Sequence, residues 1–439
     1  MLRVSRAVLA TVLALTLTTQ ATAQPKAAGP RLTAADRTVA AIRAHPGFKT
    51  ATASLDAGYE RIVAETITLT EIPAPPFKET ARAKAYMAML KDAGLTDVEM
   101  DAEGNVMGLR RGTGPAGAPL IVLAAHLDTV FPEETNVKVR REGTKLFAPG
   151  VGDDTHALAV VLGYIRALEA AGIKTKKDIL FVGNVGEEGP GDLRGTRYLF
   201  GKGKYKDRIA AFFSMDGTSP VLVTSGAVGS RRYRVTFKGP GGHSYGAFGL
   251  VNPMAAMGAT VVEMNRIVAP TTPKTTYMTS VVGGGTSVNS IPDAIWLEVD
   301  MRSASKDELT RLDGRFLEIV AGAVDQENAA RSTRMGKVSA DIKLIGDRPT
   351  GTTRDDAEIV LLSAASVRAA GYHPLLNAGS TDSNVPISLG IPAVTLGSGA
   401  AGGGQAHAVD EWIDVAKPAS LKGMEVGLAA VLAMAGLAR

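Results

Sequence analysis

The residues in this sequence best suited to chemistry are imidazoles and carboxylates that stand at the ends of short apolar runs. His126 and Asp128 follow the run from Leu120 to Ala125, Glu187 and Glu188 follow Ile179 to Val185, and Asp216 follows Ile209 to Met215. Asp153 and Asp154 directly precede a long apolar stretch, and His407 comes after the run Ala393 to Leu396 and a glycine-rich segment. Taken singly, each has a plain structural use: a solvated histidine, a capping aspartate, an exposed pair of glutamates. Taken together they do not. If the runs are parallel strands, all of these side chains fall at the edge where loops diverge and leave a crevice. His126, Asp153, Glu188, Asp216 and His407 would then converge with no matching set of Lys or Arg in the same segments. Repulsion and desolvation in such a cluster cost several kcal/mol unless cations sit among the ligands.

The chain has no cysteine, so any metal ligands must be imidazole and carboxylate, a set that suits zinc, cobalt or manganese. Two histidines and three carboxylates are too many for one catalytic zinc with an open position. They suit two ions about 3.5–4 Å apart that share a carboxylate and a water. Water held this way drops from a pKa of about 15.7 towards 7. A neighbouring glutamate that is not a ligand can carry its proton to a leaving amine.

Positioning such a cluster requires a sheet. The four apolar runs read as buried strands, and the stretch from His156 to Ala170 reads as an apolar helix between the first two. Strand and helix in this rhythm predict an α/β fold, with a mostly parallel sheet between helices. Helical patterns are expected at Ala34 to Ala44 with Thr33 as N-cap, Leu55 to Thr70, Glu79 to Ala93, Asp355 to Ala370 and Pro418 to Ala438. Residues 228–345 differ in texture. Arg232 to Lys238, Tyr277 to Val282 and Ala294 to Met301 alternate like half-exposed strands, separated by helical patterns at Pro253 to Ile267 and Lys306 to Val324. That is an α+β insert, dividing the main domain into residues 24–227 and 346–439.

With 439 residues, 45% hydrophobic and 21% charged, the composition is globular and long enough for more than one core. The net charge of +4 is small, and the lysine-rich stretches near 174–177 and 202–206 lack interleaved aromatics, so no nucleic-acid partner is expected. Arg3 and Arg6, the apolar run Ala7 to Leu17 and the site Ala21-Thr22-Ala23 have the order of a secretory signal over residues 1–23. The protein is expected to be exported, periplasmic or extracellular, without disulfides and without a stable membrane span once that segment is removed. No later segment approaches a span of about 20 apolar residues.

At these residues the sequence resembles the co-catalytic di-zinc peptidases that include peptidase T, carboxypeptidase G, succinyl-diaminopimelate desuccinylase and aminoacylase. The motifs run in family order: Ala125-His126-Leu127-Asp128, Gly152-Asp153-Asp154, Glu187-Glu188-Gly189, Met215-Asp216-Gly217, Gly241-Gly242-His243-Ser244, Gly379-Ser380-Thr381-Asp382, and His407 with Glu411. The resemblance implies a zinc-exopeptidase-like fold with an inserted lid or dimerisation domain, and two divalent ions, zinc first and cobalt or manganese next. It implies Asp153 as the bridge, His126 and Asp216 on one ion, and Glu188 and His407 on the other. By the same carry-over Glu187 is the general base, Asp128 the carboxylate that orients His126, and His243 the group that polarises the scissile carbonyl, often from a partner subunit. Asn289 and Arg302 resemble lid positions that meet a substrate carboxylate, although Arg302 equally suits a structural ion pair. Asp216, where some relatives carry Glu, leans towards the tripeptidase-like branch. The implied activity is exopeptidase cleavage of short peptides. Removal of an acyl group from an amino acid is the alternative within the same chemistry, and a metal-stabilised binding protein the alternative outside it. One departure stands out: many relatives follow the Asp-Asp pair with Lys-Gly, whereas here Thr155 and His156 follow. A histidine at a helix start is usually a surface residue, and otherwise a stray ligand.

Overall fold

The computed structural model describes residues 32–438, so the expected signal segment lies outside the described residues. The strand Leu120–His126 shows how the main sheet is built. Ile121, Leu123 and Ala125 belong to one hydrophobic core and Leu120, Val122 and Ala124 to another, all of them fully buried. A strand that feeds two cores cannot alternate apolar with polar, which is why this stretch is continuously apolar in sequence.

Among the described residues nine strands form this sheet. Its path runs Val98–Met100, Val106–Arg110, Asp178–Asn184, Leu120–His126, Ile209–Met215, Ala393–Leu396, Leu222–Ala227 and Gly351–Thr352, with Leu375–Gly379 also paired to Leu222–Ala227. The centre is parallel, since Leu120–His126 runs with both Asp178–Asn184 and Ile209–Met215, and Ala393–Leu396 runs with Ile209–Met215. The parallel centre aligns the ends at which His126, Glu187 and Asp216 appear. The larger core lies against helices that include Tyr59–Thr70, His156–Ala170, Glu358–Ala369 and Lys417–Ala435. The opposite core takes Leu199 and Phe200 from Arg194–Gly201 and Val385 and Ile387 from Asn384–Ser388. Thr33 caps the first helix as expected, accepting from the Asp36 N–H at 3.1 Å while Asp36 accepts from the Thr33 N–H at 2.9 Å.

The helix expected over Leu55 to Thr70 is two helices, Pro46–Ala57 and Tyr59–Thr70, which meet at Gly58. This break lets both pack against His156–Ala170, where Gly163 allows close approach: a Cβ there would stand 2.6 Å from Ile62 Cδ1. The helix Lys417–Ala435 is long and apolar enough to cross a membrane, but 72% of its most apolar window is buried inside the fold, and its side chains belong to the main core.

The insert folds as an antiparallel sheet in the order Thr275–Gly284, Ala294–Ser303, Gly229–Lys238, Ser339–Arg348, with its own core against Pro253–Met264 and Lys306–Ala330. The strand Ala294–Ser303 alternates buried and half-buried residues without a break. The last strand, Ser339–Arg348, was not legible as a strand; most of it is exposed at the sheet edge. A third, small antiparallel sheet was also not expected. It pairs Gly402–Gly404, Trp412–Asp414, Lys145–Phe147 and Arg140–Glu142, and its first two strands carry the loop that holds His407.

Arg82 ties the front of the sheet to the helices. It is fully buried, and its guanidinium donates to the carbonyls of Leu127 (2.6 Å), Ile72 (2.6 and 3.0 Å) and Thr70 (3.5 Å). Leu127 lies between His126 and Asp128, so this cation anchors the loop from which both project. Replacing it with Met would leave those carbonyls without donors, at about 1–3 kcal/mol for each buried group. We expect Arg82→Met to lower unfolding free energy by about 3 kcal/mol or more in urea titration, against a surface control such as Arg354→Met. A loss within about 0.5 kcal/mol, the range of surface substitutions, would show that the carbonyls find other donors.

Candidate metal centre

The five residues read as ligands gather at the parallel end of the main sheet. His126, Asp153 and Asp216 each bring a ligand atom within 4.8 Å of the others, and so do Asp153, Glu188 and His407. Asp153 is common to both groups. Its Oδ1 lies 2.8 Å from His126 Nε2, and its Oδ2 lies 3.2 Å from His407 Nε2, which is also 2.9 Å from Glu188 Oε1. A third grouping joins His126, Glu187 and Glu188. His126 and Glu188 are buried, Asp153 and Asp216 half-buried, and His407 is exposed on its loop. His407 and nearby Gln405 adopt left-handed backbone conformations, with φ of 67° and 60°. Such conformations in non-glycine residues concentrate where a site over-determines them.

Backbone braces hold the ligand loops, and Asp128 gains a second task among them. His126 Nδ1 donates to the Asp128 carbonyl oxygen at 3.0 Å, whereas the Asp128 carboxylate is 3.7 Å from that nitrogen. The carboxylate accepts the N–H groups of Glu187 (3.0 Å) and Glu188 (2.8 Å), fixing the glutamate loop. Both the backbone and the carboxylate of Asp128 therefore face His126 Nδ1, and the carboxylate also places the glutamates. Glu411 does the same for the opposite loop, accepting from the N–H groups of Gly150, Gly152 and Asp153 at 2.7–2.8 Å. Asp382 is buried and held by Asn184 Nδ2 at 2.7 Å and by the Thr196 hydroxyl.

Arg348 was not singled out in the sequence. Nothing in its local pattern separates it from surface arginines; it enters the site because the last strand of the insert ends there. Its guanidinium donates to Glu187 Oε1 at 2.9 Å, to Ser380 Oγ at 3.0 Å and to the Glu187 carbonyl. His156 is corrected from surface to core: it is fully buried and belongs to none of the ligand groups. His243 and Asn289 come together, lining a cavity of about 380 Å³ on the insert, but no ligand-group residue lines it. Arg302 lies at the other end of the strand Ala294–Ser303, bonded to Asp300 at 2.7 Å, and is not brought to Asn289.

The electrostatics are those of crowded, buried acids. Burial, aided by Asp153, Glu188 and Asp382, pushes Asp216 up to about 7. Burial and Asp153 push Glu411 up to about 7, although three N–H bonds oppose this. Burial raises Glu187 well above the usual range, with Glu188 adding to it and Arg348 opposing. Asp153 is held far below that range despite its burial, by hydrogen bonds from His126 and His407. Bonds to Asp153 and Glu188 push His407 up to about 10. Acids this close share protons or cations, and the donor set of imidazole and carboxylate around a shared Asp153 fits two divalent cations.

The sequence pattern of peptidase family M20/M25/M40 matches residues 122–433. The chain belongs to this family. The M20 match takes in every residue of both ligand groups. Carboxypeptidase G2 from Pseudomonas sp. (strain RS-16) is 25% identical over 229 residues, 50% of this chain and 54% of that protein, so the chain spans about half the length of the curated relative it matches. Among solved structures, aminopeptidase PepT from Bacillus cereus ATCC 10987 superposes with a TM-score of 0.67 at 21% identity, over 86% of this chain and 99% of that one. A dinuclear metal-binding peptidase of the M20 family from Bacillus subtilis gives 0.60 at 18% identity, over 87% and 99%. These structural likenesses establish a shared M20 fold.

The charge pattern has a pH consequence for chelated protein. His407 keeps its proton to about pH 10, whereas an unfolded histidine loses it near 6.5. The stability this gives is complete below pH 6.5 and is lost as pH rises through 10. Asp216 and Glu411, raised to about 7, act in the same direction at lower pH, because the folded state holds protons that the unfolded chain releases. Chelated protein is therefore expected to lose thermal stability from pH 7 to 10, and cation uptake at pH 7 to release protons, seen as buffer-dependent heat in calorimetry. Uptake with no proton release would contradict the charge assignment.

Proposed function

We propose that this chain is an exported di-metal exopeptidase that hydrolyses short peptides, with zinc as its first metal. The observation that carries this reading is the shared Asp153 between two ligand groups, with Glu187 beside them on the same loop as Glu188. Export rests on the order of charge, apolar run and small-residue site over residues 1–23.

His126 and Asp216 would hold one cation, Glu188 and His407 the other, with Asp153 between them. When bound, the two cations polarise the scissile carbonyl and acidify water at neutral pH. Glu187 takes the proton of the attacking water on a carboxylate oxygen and passes it to the leaving amine nitrogen. Its raised proton affinity suits that exchange, and Arg348 keeps its carboxylate from swinging towards the cations. Asp128 and Glu411 hold the two ligand loops in register. In His243, Nδ1 accepts the N–H groups of Tyr245 (3.2 Å) and Gly246 (3.3 Å), which leaves the ring proton on Nε2. An Nε2–H of this kind can donate to a carbonyl oxygen that gains charge. Because its cavity contains no ligand-group residue, we assign His243 to the site of a second copy, in a homodimer formed through the insert. The insert offers an unpaired edge strand, Thr275–Gly284, with Met278, Val281 and Val282 exposed.

Dimerisation is checked by analytical ultracentrifugation at micromolar concentration. The expected species is a dimer, and Val282→Glu on the edge strand should convert it to monomer with most activity lost. A fully active monomer would remove His243 from the mechanism as stated.

Adjacent glutamates test the mechanism. Glu187→Gln should keep both cations and the fold while kcat falls by roughly 10²–10⁴, more than KM changes. Glu188→Gln should lose metal and thermal stability. Elemental analysis beside steady-state kinetics, on di- and tripeptides and on N-acyl amino acids, decides both role and substrate. Metal loss in Glu187→Gln with two cations kept in Glu188→Gln would reverse the pair, and cleavage confined to N-acyl amino acids would replace peptidase by acylase.

A further inference from the structure

His156 is a fully buried titratable group without a task in the proposed reaction. It opens the helix His156–Ala170 directly after the turn that carries Asp153, and it is 0% exposed. Its Nδ1 lies 2.7 Å from the Ser398 hydroxyl, and its Nε2 has no hydrogen-bond partner among the described residues. Burial pulls the imidazole down to about 4, so the ring is neutral at neutral pH. The net gain from one such hydrogen bond does not exceed the cost of leaving a buried nitrogen unpaired. As a stabilising device the pair gains nothing over an apolar side chain. Its value must lie in what it holds apart or together.

Ser398 belongs to the segment packed on the Asp216 turn. The Asp216 N–H donates to the Leu396 carbonyl at 2.9 Å, and the Ser398 N–H donates to the Gly217 carbonyl at 2.8 Å. Between them, Gly397 lies so near Ser219 that a Cβ would stand 2.2 Å from its carbonyl oxygen. These two segments therefore move as one body that carries Asp216. On the other side, the Thr155 hydroxyl donates to the Gly150 carbonyl at 2.9 Å, and Glu411 gathers the N–H groups of Gly150, Gly152 and Asp153. The start of the helix and Asp153 form a second body. The His156–Ser398 hydrogen bond joins the two.

We propose that His156 and Ser398 are positioning residues that set the separation of Asp153 from Asp216. Through that spacing they set the affinity of the His126–Asp216 cation position relative to the Glu188–His407 position. The proposal rests on the two-cation reading of the site.

Cobalt(II) titrated into chelated wild type, Ser398→Ala, His156→Leu and His156→Asn, followed by calorimetry and visible absorption, tests it. Circular dichroism and thermal melts check the fold of each variant. Wild type takes up two equivalents. In Ser398→Ala and His156→Leu one equivalent keeps its affinity, and the other weakens by about 10–100-fold, the usual worth of a residue that orients a ligand. The weakened equivalent is the one that Asp216→Asn also removes. His156→Asn, whose amide can take the place of Nδ1, recovers most of the loss. At limiting metal, kcat of the weakened variants falls while KM holds. Unchanged affinity for both equivalents, equal weakening of both, or failure of Ser398→Ala to fold overturns the proposal and leaves the two-cation reading standing. Fewer than two equivalents in wild type overturns both.

Discussion

The constraint on which the rest of this structure depends is the gathering of carboxylates at one end of a parallel sheet. Asp128, Asp153, Asp154, Glu187, Glu188, Asp216, Asp382 and Glu411 crowd together here, and neighbouring carboxylates add to burial in raising the proton affinity of Asp154, Glu187, Asp216, Asp382 and Glu411. No fold tolerates this without compensation. Part of it comes from fixed donors: N–H groups on Asp128 and Glu411, guanidinium on Glu187, amide and hydroxyl on Asp382. The rest falls to the imidazoles and to cations. Asp128, Asp382 and Glu411, held by these donors, serve as braces, whereas Asp153, Glu188 and Asp216 supply the carboxylates of the two ligand groups that share Asp153.

This division separates two kinds of carboxylate that sequence cannot tell apart. Asp128 follows one apolar run and Asp153 precedes another, yet both Asp128 oxygens accept backbone N–H groups, while Asp153 faces two imidazoles. Motif order was enough to place them in one site. Which one points inward depends on loop conformations that the adjacent strands set, and those follow from sheet order.

The four parallel central strands of the main sheet, its longer helices and the alternation of the insert were legible because burial demands them of the sequence: continuous apolar strands between two cores, period-two strands over one. Other elements were missed, among them the buried strands Val106–Arg110 and Leu222–Ala227, whose runs are interrupted by glycine or hydroxyl residues. The strand Ser339–Arg348 is mostly exposed, and the small sheet beneath His407 has three-residue strands. The break at Gly58 was read through because apolar spacing continues across it. The site was legible where chemistry and position coincide, at strand ends. Arg82, Arg348 and His156 were not, since each owes its role to partners tens to hundreds of residues away.

The chain leaves the main domain once, for the insert, and on its return ends the last strand with Arg348 bonded to Glu187. Neighbouring links repeat the attachment, with the Asp347 N–H on Asp192 and Arg232 on the Gly189 carbonyl. The insert therefore cannot be trimmed away as an accessory. A shortened chain that closed the main domain directly from Ala227 to Gly351 would keep every ligand of both metal groups and still lose the guanidinium that steadies Glu187. In engineering terms, the proposed role of Glu187 makes the smallest metal-binding unit of this fold shorter than its smallest hydrolytic unit.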